Sequence, residues 1–599
     1  MTEFAFGSKM RKWIFFLFVL IVCSGCAKKT ITEEKRVRPS SKHGGIVVFS
    51  TSSDPRSFNA IVSNESSTSE AISYIFDGMT RTNGVTGDVE PSLAERWEYS
   101  EDGLVWTFYL RNDVVWFDGV PFTADDVVFT FNDLIYNPSI PSSMRDLLTI
   151  DGQKFEIRKM DMYTVEVRTP VPYAPLLRHI GVGILPRHRL IESVEGGTFP
   201  VTWGVDTPPE EIIGTGPYRL AEYVPAQKLV YKRNENYWRK DRDGFRLPYI
   251  DQIVTIIVPD DNVQIAKFQA REVDSLRVRP KDYAYVKSIQ QKGNFTIYDL
   301  GPAFGSTFIM FNQDQTVIDP VMLAWFRDRN FRKAVAYAID RETIINNVYS
   351  GLGVAQVSPV SKADPIFHNA DVRSYAYDPE KAKNLLKESG YVDSNQDGFL
   401  EKPEGHPVKF MLITNSNNSE RKDMALIVTE NLRAIGMDVT YRTLDFNNLV
   451  QKLDGTGEWE SMILGLGGGN LEPHGGKNVW DPSGRLHMWN RKLSKDQYSK
   501  KEREQSYDAY VQSWEDHLPD WEWRILELFN QGVQELVEEK RKVYYYEWQD
   551  IVAEELPLIY LVTPKNYMAV RNKFIGLKPS SFAGVFHNFD ELYLKDEYR

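Results

Sequence analysis

The feature that most constrains the fold is an aromatic segment at residues 90–134, in which turn residues separate short strand-like runs. Residues 96–100 (RWEYS) and 105–110 (VWTFYL) are rich in aromatic and β-branched side chains, and Glu101-Asp102-Gly103 lies between them. Two such runs around a glycine turn predict a β-hairpin. Farther along, Thr123 precedes a pair of aspartates and is placed to cap a helix that begins there. The segment therefore predicts an α+β unit.

The second half of the chain alternates between strand and helix patterns. Predicted strands at 307–312 and 408–414 alternate with predicted helices at 377–391 and 422–435. Such alternation is typical of α/β proteins, in which helices cover a sheet. The chain has 599 residues, whereas one domain usually has roughly 100–200, so several domains are expected.

Four motifs follow one another in a characteristic order: PSLAERWEYSEDGLVWTFYLR at 91–111, WFDGVPFTADDVVFTF at 116–131, GTGPYRL at 214–220 and VYKRNENYW at 230–238. They resemble the signature regions of the family 5 extracellular solute-binding proteins, which are receptors that deliver peptides and some other solutes to ABC importers. The resemblance implies an α/β, two-lobed periplasmic-binding-protein type II fold with an extra subdomain on the first lobe. It also implies two partners, a peptide or another small solute and an ABC permease in the membrane.

The resemblance divides the chain into parts. In chain order, the expected parts are a signal peptide with a lipobox at 1–26, a tether at 27–43, a first lobe at 44–300, a second lobe at 301–558 and a return to the first lobe at 559–599. The extra subdomain is expected at about 62–178. The chain would then cross between the lobes near residues 300 and 560, and these two crossings would form a hinge.

The N-terminal residues carry a predicted export signal. Basic residues precede an apolar run at 13–22, which is shorter than the roughly 20 residues that span a bilayer and suits a signal-peptide core. Met10 is an alternative start, because the signal sequence is complete from that residue. The run ends in Val22-Cys23-Ser24-Gly25-Cys26, which resembles a bacterial lipobox and implies that Cys26 is acylated. An ordinary secretory signal with an incidental cysteine is the alternative.

The cysteine count agrees with this export signal. The chain contains two cysteines, and cleavage before Cys26 would leave one, so the mature protein could form no intramolecular disulfide. The predicted protein is exported and lipid-anchored to a bacterial membrane, where it faces the periplasm or the cell exterior. The polar tether at 27–43 would extend about 55–60 Å at full stretch.

Composition and motifs argue against several other functions. A net charge of −12 with intermixed acidic and basic residues predicts no nucleic-acid partner. The nine histidines have no metal-ligand spacing, and the chain has no Gly-x-Ser-x-Gly elbow. We therefore expect a monomeric binding protein without cofactor or catalysis. The alternatives are a lipid-anchored hydrolase, whose carboxylates the fold brings together, and a chemoreceptor or adhesion protein on the same fold.

Two stretches supply the expected ligand contacts. Ser52 and Asp54 follow the first predicted strand, and the resemblance puts their loop on the ligand cleft; a plain Asx/Pro turn is the alternative. The glycine-rich run GLGGGNLEPHGG at 465–476 lets the backbone approach a bound molecule closely, although it would also suit a flexible surface turn. The contacts expected from this run are Gly467, Gly468, Gly469, Asn470, Glu472 and His474.

Gly469 departs from the family pattern. In the peptide-binding members, the corresponding residue is an aspartate that pairs with the α-amino group of the ligand. Glycine has no side chain, so a charge-assisted pair of about 1.5–3 kcal/mol is missing unless Glu472 replaces it. The departure predicts a site that tolerates ligands without a free amine.

An acidic loop carries the spacing of a calcium-binding loop. Asp393, Asn395, Asp397 and Glu404 occupy positions 1, 3, 5 and 12 of an EF-hand pattern, in which oxygen ligands surround a hard cation. A predicted strand rather than a helix follows, and Pro403 stiffens the approach to Glu404. We therefore expect an Asx-rich surface turn without metal, and a calcium site is the alternative.

Overall fold

The computed structural model describes residues 42–63, 66–150, 152–402, 405–468, 471–484, 486–493, 498 and 506–599. The predicted signal peptide, nearly all of the predicted tether and the predicted contacts Gly469 and Asn470 lie outside these residues. Cys26 and Glu404 lie outside them as well. Residues 43–599 form one compact unit.

A mixed four-stranded sheet contains the N-terminal strand. Its strand order is Ile46–Thr51, Gln252–Ile257, Lys228–Arg233 and Tyr218–Val224. The first pair is parallel and the other pairs are antiparallel. We call the part of the protein built around this sheet the first lobe.

The predicted hairpin belongs to a second, wholly antiparallel sheet on the first lobe. Its strand order is Ala94–Tyr99, Val105–Leu110, Thr164–Arg168 and Glu156–Asp161. Gly103 adopts φ +68° in the turn, as a tight hairpin requires. Alternate residues of Val105–Leu110 are buried, and they join the same apolar core as the N-terminal sheet. The predicted hairpin is confirmed.

The predicted helix cap is also confirmed. The hydroxyl of Thr123 accepts a hydrogen bond from the amide of Asp125, and the carboxylate of Asp126 accepts one from the amide of Thr123 at 3.0 Å. This reciprocal pair satisfies two amide donors at the start of the helix Ala124–Val128. A π-helical segment, Phe129–Ile135, continues the helix and supplies buried side chains beneath the antiparallel sheet.

A five-stranded sheet forms the centre of what we call the second lobe. Its strand order is Asp438–Leu444, Lys409–Asn415, Ser461–Leu466, Ser306–Phe311 and Leu558–Tyr560. Both faces are covered, because Ile309 and Phe311 join one apolar cluster whereas Phe308 and Met310 join another. Two-sided burial explains why the strands Ser306–Phe311, Ser461–Leu466 and Leu558–Tyr560 are largely apolar.

A fourth sheet links the lobes. Its central strand, Val562–Arg571, pairs with Ser275–Val278, with Phe295–Pro302 and with the short strand Gly353–Ala355. We call Val562–Arg571 the crossing strand, because it directly follows Leu558–Tyr560 of the second-lobe sheet. The exact residue boundaries of the lobes stay a prediction.

The remaining elements cover these sheets. The described short strand pairs are Thr80–Thr82 with Val89–Pro91, Thr149–Ile150 with Gln153–Lys154 and Phe574–Ile575 with Tyr593–Leu594. The described α-helices are Ser66–Ile72, Ala124–Val128, Met144–Leu147, Leu176–His179, Arg187–Glu195, Asp261–Gln269, Tyr283–Ser288, Gln290–Gly293, Pro320–Arg327, Arg329–Ala338, Arg341–Tyr349, Pro379–Glu388, Ser419–Arg433, Phe446–Val450, Lys477–Trp480, Tyr507–Asp516, Asp520–Gln534 and Glu538–Glu555. In the described ranges, no helix is both long enough and apolar enough to cross a bilayer.

Candidate ligand-binding site

Two neighbouring chain segments connect the lobes. The first runs from Phe295–Pro302 into the second-lobe strand Ser306–Phe311, and the second runs from Leu558–Tyr560 into the crossing strand. The amide of Ala303 donates a hydrogen bond of 2.9 Å to the carbonyl of Pro564, so the two connections lie side by side. This is the arrangement that a hinge between two lobes requires.

The crossing strand divides its hydrogen bonds between the lobes. Residues 562–564 pair with Gly353–Ala355, which belongs to the second lobe. Residues 567–571 pair with strands of the first lobe. The change of partner falls between Pro564 and Tyr567, beside an irregularity in the register with Phe295–Pro302.

A cavity of about 570 Å³ lies beside the crossing strand. This volume falls within the roughly 300–1,000 Å³ range of small-molecule sites. Its lining combines hydroxyl, amide and charged side chains, which suits a polar solute. The polar and charged lining comes from both lobes and from the crossing strand. It includes Ser50, Thr51, Ser52, Glu70, Gln264 and Arg277 of the first lobe, Asn417, Asn418, Ser419 and Glu420 of the second lobe, and Lys565 and Asn566 of the crossing strand.

Opposite charges face each other across this cavity. Burial raises the pKa of the Glu420 carboxyl at the start of Ser419–Arg433, and the positive charges of Arg277, Lys281 and Arg279 act in the opposite direction. Their attraction for Glu420 favours closure of the lobes. Arg279 also pairs with Asp261 at 2.5 Å.

Arg277 differs from Arg279 in its partners. The Arg277 side chain is exposed and forms no ion pair with any residue that the structure describes. It is therefore the cavity-lining arginine that a solute can contact without displacing an existing ion pair.

The two predicted contacts after the first strand have different surroundings. Ser52 is exposed and lines the cavity. The carboxylate of Asp54 accepts hydrogen bonds from the hydroxyl of Tyr223 at 2.7 Å and from the amide of Ala226 at 2.9 Å. Asp54 therefore fixes the loop against the strand Tyr218–Val224, and it does not line this cavity.

The glycine run is closely packed at Gly468 and open at the neighbouring Gly467. A β-carbon at Gly468 would lie 2.1 Å from the carbonyl oxygen of Phe304, in the connection between the lobes. A β-carbon at Gly467 would meet nothing within 4 Å. The close approach permitted by Gly468 is thus to the chain's own connection between the lobes.

Glu472 and His474 lie in the interior, where each is only 2% exposed. One carboxylate oxygen of Glu472 pairs with the guanidinium of Arg541 at 3.3 Å, and the other accepts no hydrogen bond from any described residue. Burial raises the pKa of Glu472 to about 7, and the charges of Arg541 and Arg178 oppose the shift. Burial also lowers the pKa of His474, so its ring is neutral at neutral pH. Direct contact of either side chain with a ligand stays a prediction.

His474 belongs to a contact between the lobes that the sequence did not indicate. Its ring lies edge-on to Tyr173 of the first lobe, with 5.6 Å between ring centroids. The hydroxyl of Tyr173 is hydrogen-bonded to His179 at 2.7 Å, and the amide of Ala174 donates to the carbonyl of Val533 at 2.8 Å. No sequence signal pairs His474, which belongs to the glycine run, with Tyr173, because the two residues lie about 300 positions apart.

The predicted metal ligands lie on the second lobe, away from the residues that line the cavity. Asp393, Asn395 and Asp397 are exposed on one loop between Pro379–Glu388 and Lys409–Asn415. In the structure, a different acidic residue, Glu401, joins Asp393 and Asp397. The spacing in the sequence points to Glu404, which lies outside the described residues.

Comparison with known proteins places the chain among solute-binding proteins. The sequence profile of bacterial extracellular solute-binding proteins, family 5, matches residues 88–486. The oligopeptide-binding protein AppA of Bacillus subtilis is 27% identical over 583 residues, with 93% of each chain covered. The dipeptide-binding protein of Escherichia coli is 28% identical over 474 residues, with 75% of this chain and 81% of the relative covered.

The fold agrees with these matches. The periplasmic binding protein MelB of Agrobacterium fabrum, solved in complex with stachyose, superimposes with a TM-score of 0.75 at 19% identity. The superposition covers 93% of this chain and 86% of MelB. The predicted periplasmic-binding-protein fold is therefore confirmed. Since the profile covers more than half of its length, the chain belongs to the bacterial extracellular solute-binding proteins of family 5.

Proposed function

We propose that the protein captures a peptide or a comparably polar small solute between its lobes and delivers it to an ABC permease. The cavity beside the crossing strand carries this proposal, because residues of both lobes and of the crossing strand line it. A solute bound there contacts both lobes at once and therefore favours the closed arrangement. The permease then recognises the closed form.

Binding in this proposal proceeds without turnover. The protein acts as a monomer, and its lobes rotate about the connection near residue 303 and about the crossing strand between Pro564 and Tyr567. The cavity lining presents hydrogen-bonding groups and both signs of charge, as a zwitterionic or strongly polar solute requires. Relatives with this architecture are named for oligopeptides and dipeptides, and a structural neighbour holds stachyose.

The proposed contacts with the solute are side chains that line the cavity. Ser52, Arg277, Asn418 and Lys565 line the cavity and are the contacts that we propose. Glu472 is buried beside Arg541, so we assign it to the interior of the protein rather than to a ligand amine. Because Gly469 has no carboxylate to pair with a ligand amine, the site also accepts solutes that lack a free amino group.

The proposal is tested by the solute that the protein carries. Native mass spectrometry of the purified full-length chain in detergent is expected to show a bound polar solute, which is recovered chemically unchanged after incubation. Arg277→Glu should lower the affinity for that solute at least tenfold, because an attraction to Glu420 across the cavity becomes a repulsion. Titration calorimetry measures the affinity.

Arg219→Glu is the matched control for this substitution. Arg219 is likewise an exposed arginine on a strand of the first lobe, but it does not line the cavity. Its variant should bind the solute normally. Equal affinities of the Arg277 and Arg219 variants would contradict the proposed site, and release of a product from the solute would contradict binding without turnover.

We also propose that lipid attachment at Cys26 holds the protein at the membrane. Cys26→Ser should abolish the incorporation of radiolabelled fatty acid and release the protein from membranes, because each buried CH₂ contributes roughly 0.8 kcal/mol to anchoring. Cys23→Ser, which changes the other cysteine of the same segment, should remain labelled and attached. Retention of the Cys26 variant in the membrane fraction would contradict lipid anchoring.

A further inference from the structure

A β-bridge closes the acidic loop of the second lobe. Val392 and Glu401 exchange both backbone hydrogen bonds, at 2.9 and 2.8 Å. The bridge returns the chain to the start of the loop, and it brings the Glu401 carboxylate beside those of Asp393 and Asp397. Each of the three residues offers a carboxylate oxygen, and these oxygens all lie within 4.8 Å of one another.

Glu401 differs from the two aspartates in its burial. Its side chain is only 3% exposed, whereas Asp393 and Asp397 face solvent. One carboxylate oxygen, Oε2, accepts hydrogen bonds from the amide and hydroxyl of Ser394 at 2.8 and 2.7 Å. The other, Oε1, is buried and accepts none in the described part of the chain. Leaving a buried charged acceptor unpaired costs free energy of folding. A bound cation would give this oxygen the partner that the described residues do not supply.

The surrounding residues do not neutralise the cluster. Among the residues that the structure describes, none of the three carboxylates forms an ion pair with lysine or arginine. The adjacent Lys402 donates instead to the carbonyl of Ser389 at 2.9 Å, and its ammonium lies 4.1 Å from the ring centroid of Tyr391. Three like charges so close together repel one another unless a cation lies between them.

The loop backbone is tightly turned. Gln396 and Gly398 adopt φ +65° and +93°. The Asp393 carboxylate accepts hydrogen bonds from the amides of Asp397 and Gly398 at 3.1 and 3.0 Å. These bonds hold the first acidic side chain in place, so little ordering is needed when an ion arrives.

We propose that this loop binds one calcium ion through the carboxylates of Asp393, Asp397 and Glu401. Calcium prefers oxygen ligands and accepts irregular geometry, whereas magnesium requires a nearly ideal octahedron. The amide oxygen of Asn395 is on the same loop and is a fourth candidate ligand. In this proposal, Glu401 takes the ligand role that the EF-hand spacing alone gives to Glu404. The bound ion would link the end of the helix Pro379–Glu388 to the strand Lys409–Asn415, and the proposal is independent of which solute the protein captures.

Titration of the metal-free, full-length chain with calcium chloride tests the proposal. Calorimetry is expected to show one site with a dissociation constant on the order of 10⁻⁴ to 10⁻³ M, the range of extracellular calcium modules. Glu401→Gln and Asp397→Asn should each weaken binding at least tenfold. Glu388→Gln removes one exposed carboxylate from the nearby helix, outside the loop, and should leave the affinity unchanged.

Two results would overturn the calcium site. One is the absence of calcium heat in the wild-type chain, and the other is an unchanged affinity in both loop variants. Circular dichroism in chelator shows whether each variant is folded. If Glu401→Gln does not fold, Asp397→Asn decides the matter, because Asp397 is exposed and its amide isostere leaves the core untouched.

Discussion

Replacing Gly468 by alanine is expected to destabilise the protein by about 1–3 kcal/mol, the usual cost of overpacking. The new β-carbon would lie 2.1 Å from the carbonyl oxygen of Phe304, and backbone atoms cannot rotate away as the end of a side chain can. The connection between the lobes would have to shift, so the affinity for the solute should fall as well. Chemical denaturation measures the free energy of unfolding, and calorimetry measures the affinity.

The neighbouring glycine supplies the control. A β-carbon at Gly467 meets nothing within 4 Å, and neither residue has a positive φ. Gly467→Ala should therefore change the free energy of unfolding by no more than about 0.5 kcal/mol. Equal stabilities of the two alanine variants would show that the connection does not constrain this loop.

Glu472→Gln is expected to remove a loss of stability of about 3.5 kcal/mol that the wild type undergoes as the pH rises. Burial raises the pKa of Glu472 from 4.5 to about 7, and the difference of about 2.5 units corresponds to about 1.4 kcal/mol per unit. A raised carboxyl pKa gives stability that is fully present below pH 4.5 and is lost as the pH rises through about 7. The glutamine variant resembles the protonated acid, so it should match the wild type near pH 4.5 and exceed it at pH 8.

Urea unfolding of both proteins at the two pH values measures this effect. Glu547→Gln is the matched control, because Glu547 also pairs with an arginine, Arg524, but is 45% exposed. Its stability relative to the wild type should change little between the two pH values. A constant difference between the wild type and the Glu472 variant would mean that folding does not raise the pKa of Glu472.

The parts of the fold that the sequence predicts well depend on neighbouring residues. The hairpin at 94–110 and the Thr123 cap arise from turn and capping chemistry within a few residues, and both are present. The glycine run likewise indicates a close backbone approach. What it approaches cannot be derived from local chemistry, because Phe304 is more than 160 residues away from Gly468.

The site is harder to predict, because burial depends on distant partners. Glu472 and His474 follow a polar, glycine-rich run, which suggests exposure, yet Arg541 and Tyr173 enclose them from other parts of the chain. In the acidic loop, too, the position of a side chain depends on a backbone pairing that the spacing does not show. Spacing points to Glu404, whereas a single β-bridge turns Glu401 toward the aspartates.

The crossing strand pairs with both lobes, which links solute binding directly to the relative orientation of the lobes. Residues 562–564 are bonded to the second lobe and residues 567–571 to the first, so rotation of one lobe against the other would concentrate its dihedral change at Lys565 and Asn566. The same two residues line the cavity. A solute would therefore contact the pivot residues directly. Its binding would change the relative orientation of the lobes without a relay of side chains through either core. Amide hydrogen exchange at Lys565 and Asn566 would then report both the occupancy of the cavity and the relative orientation of the lobes.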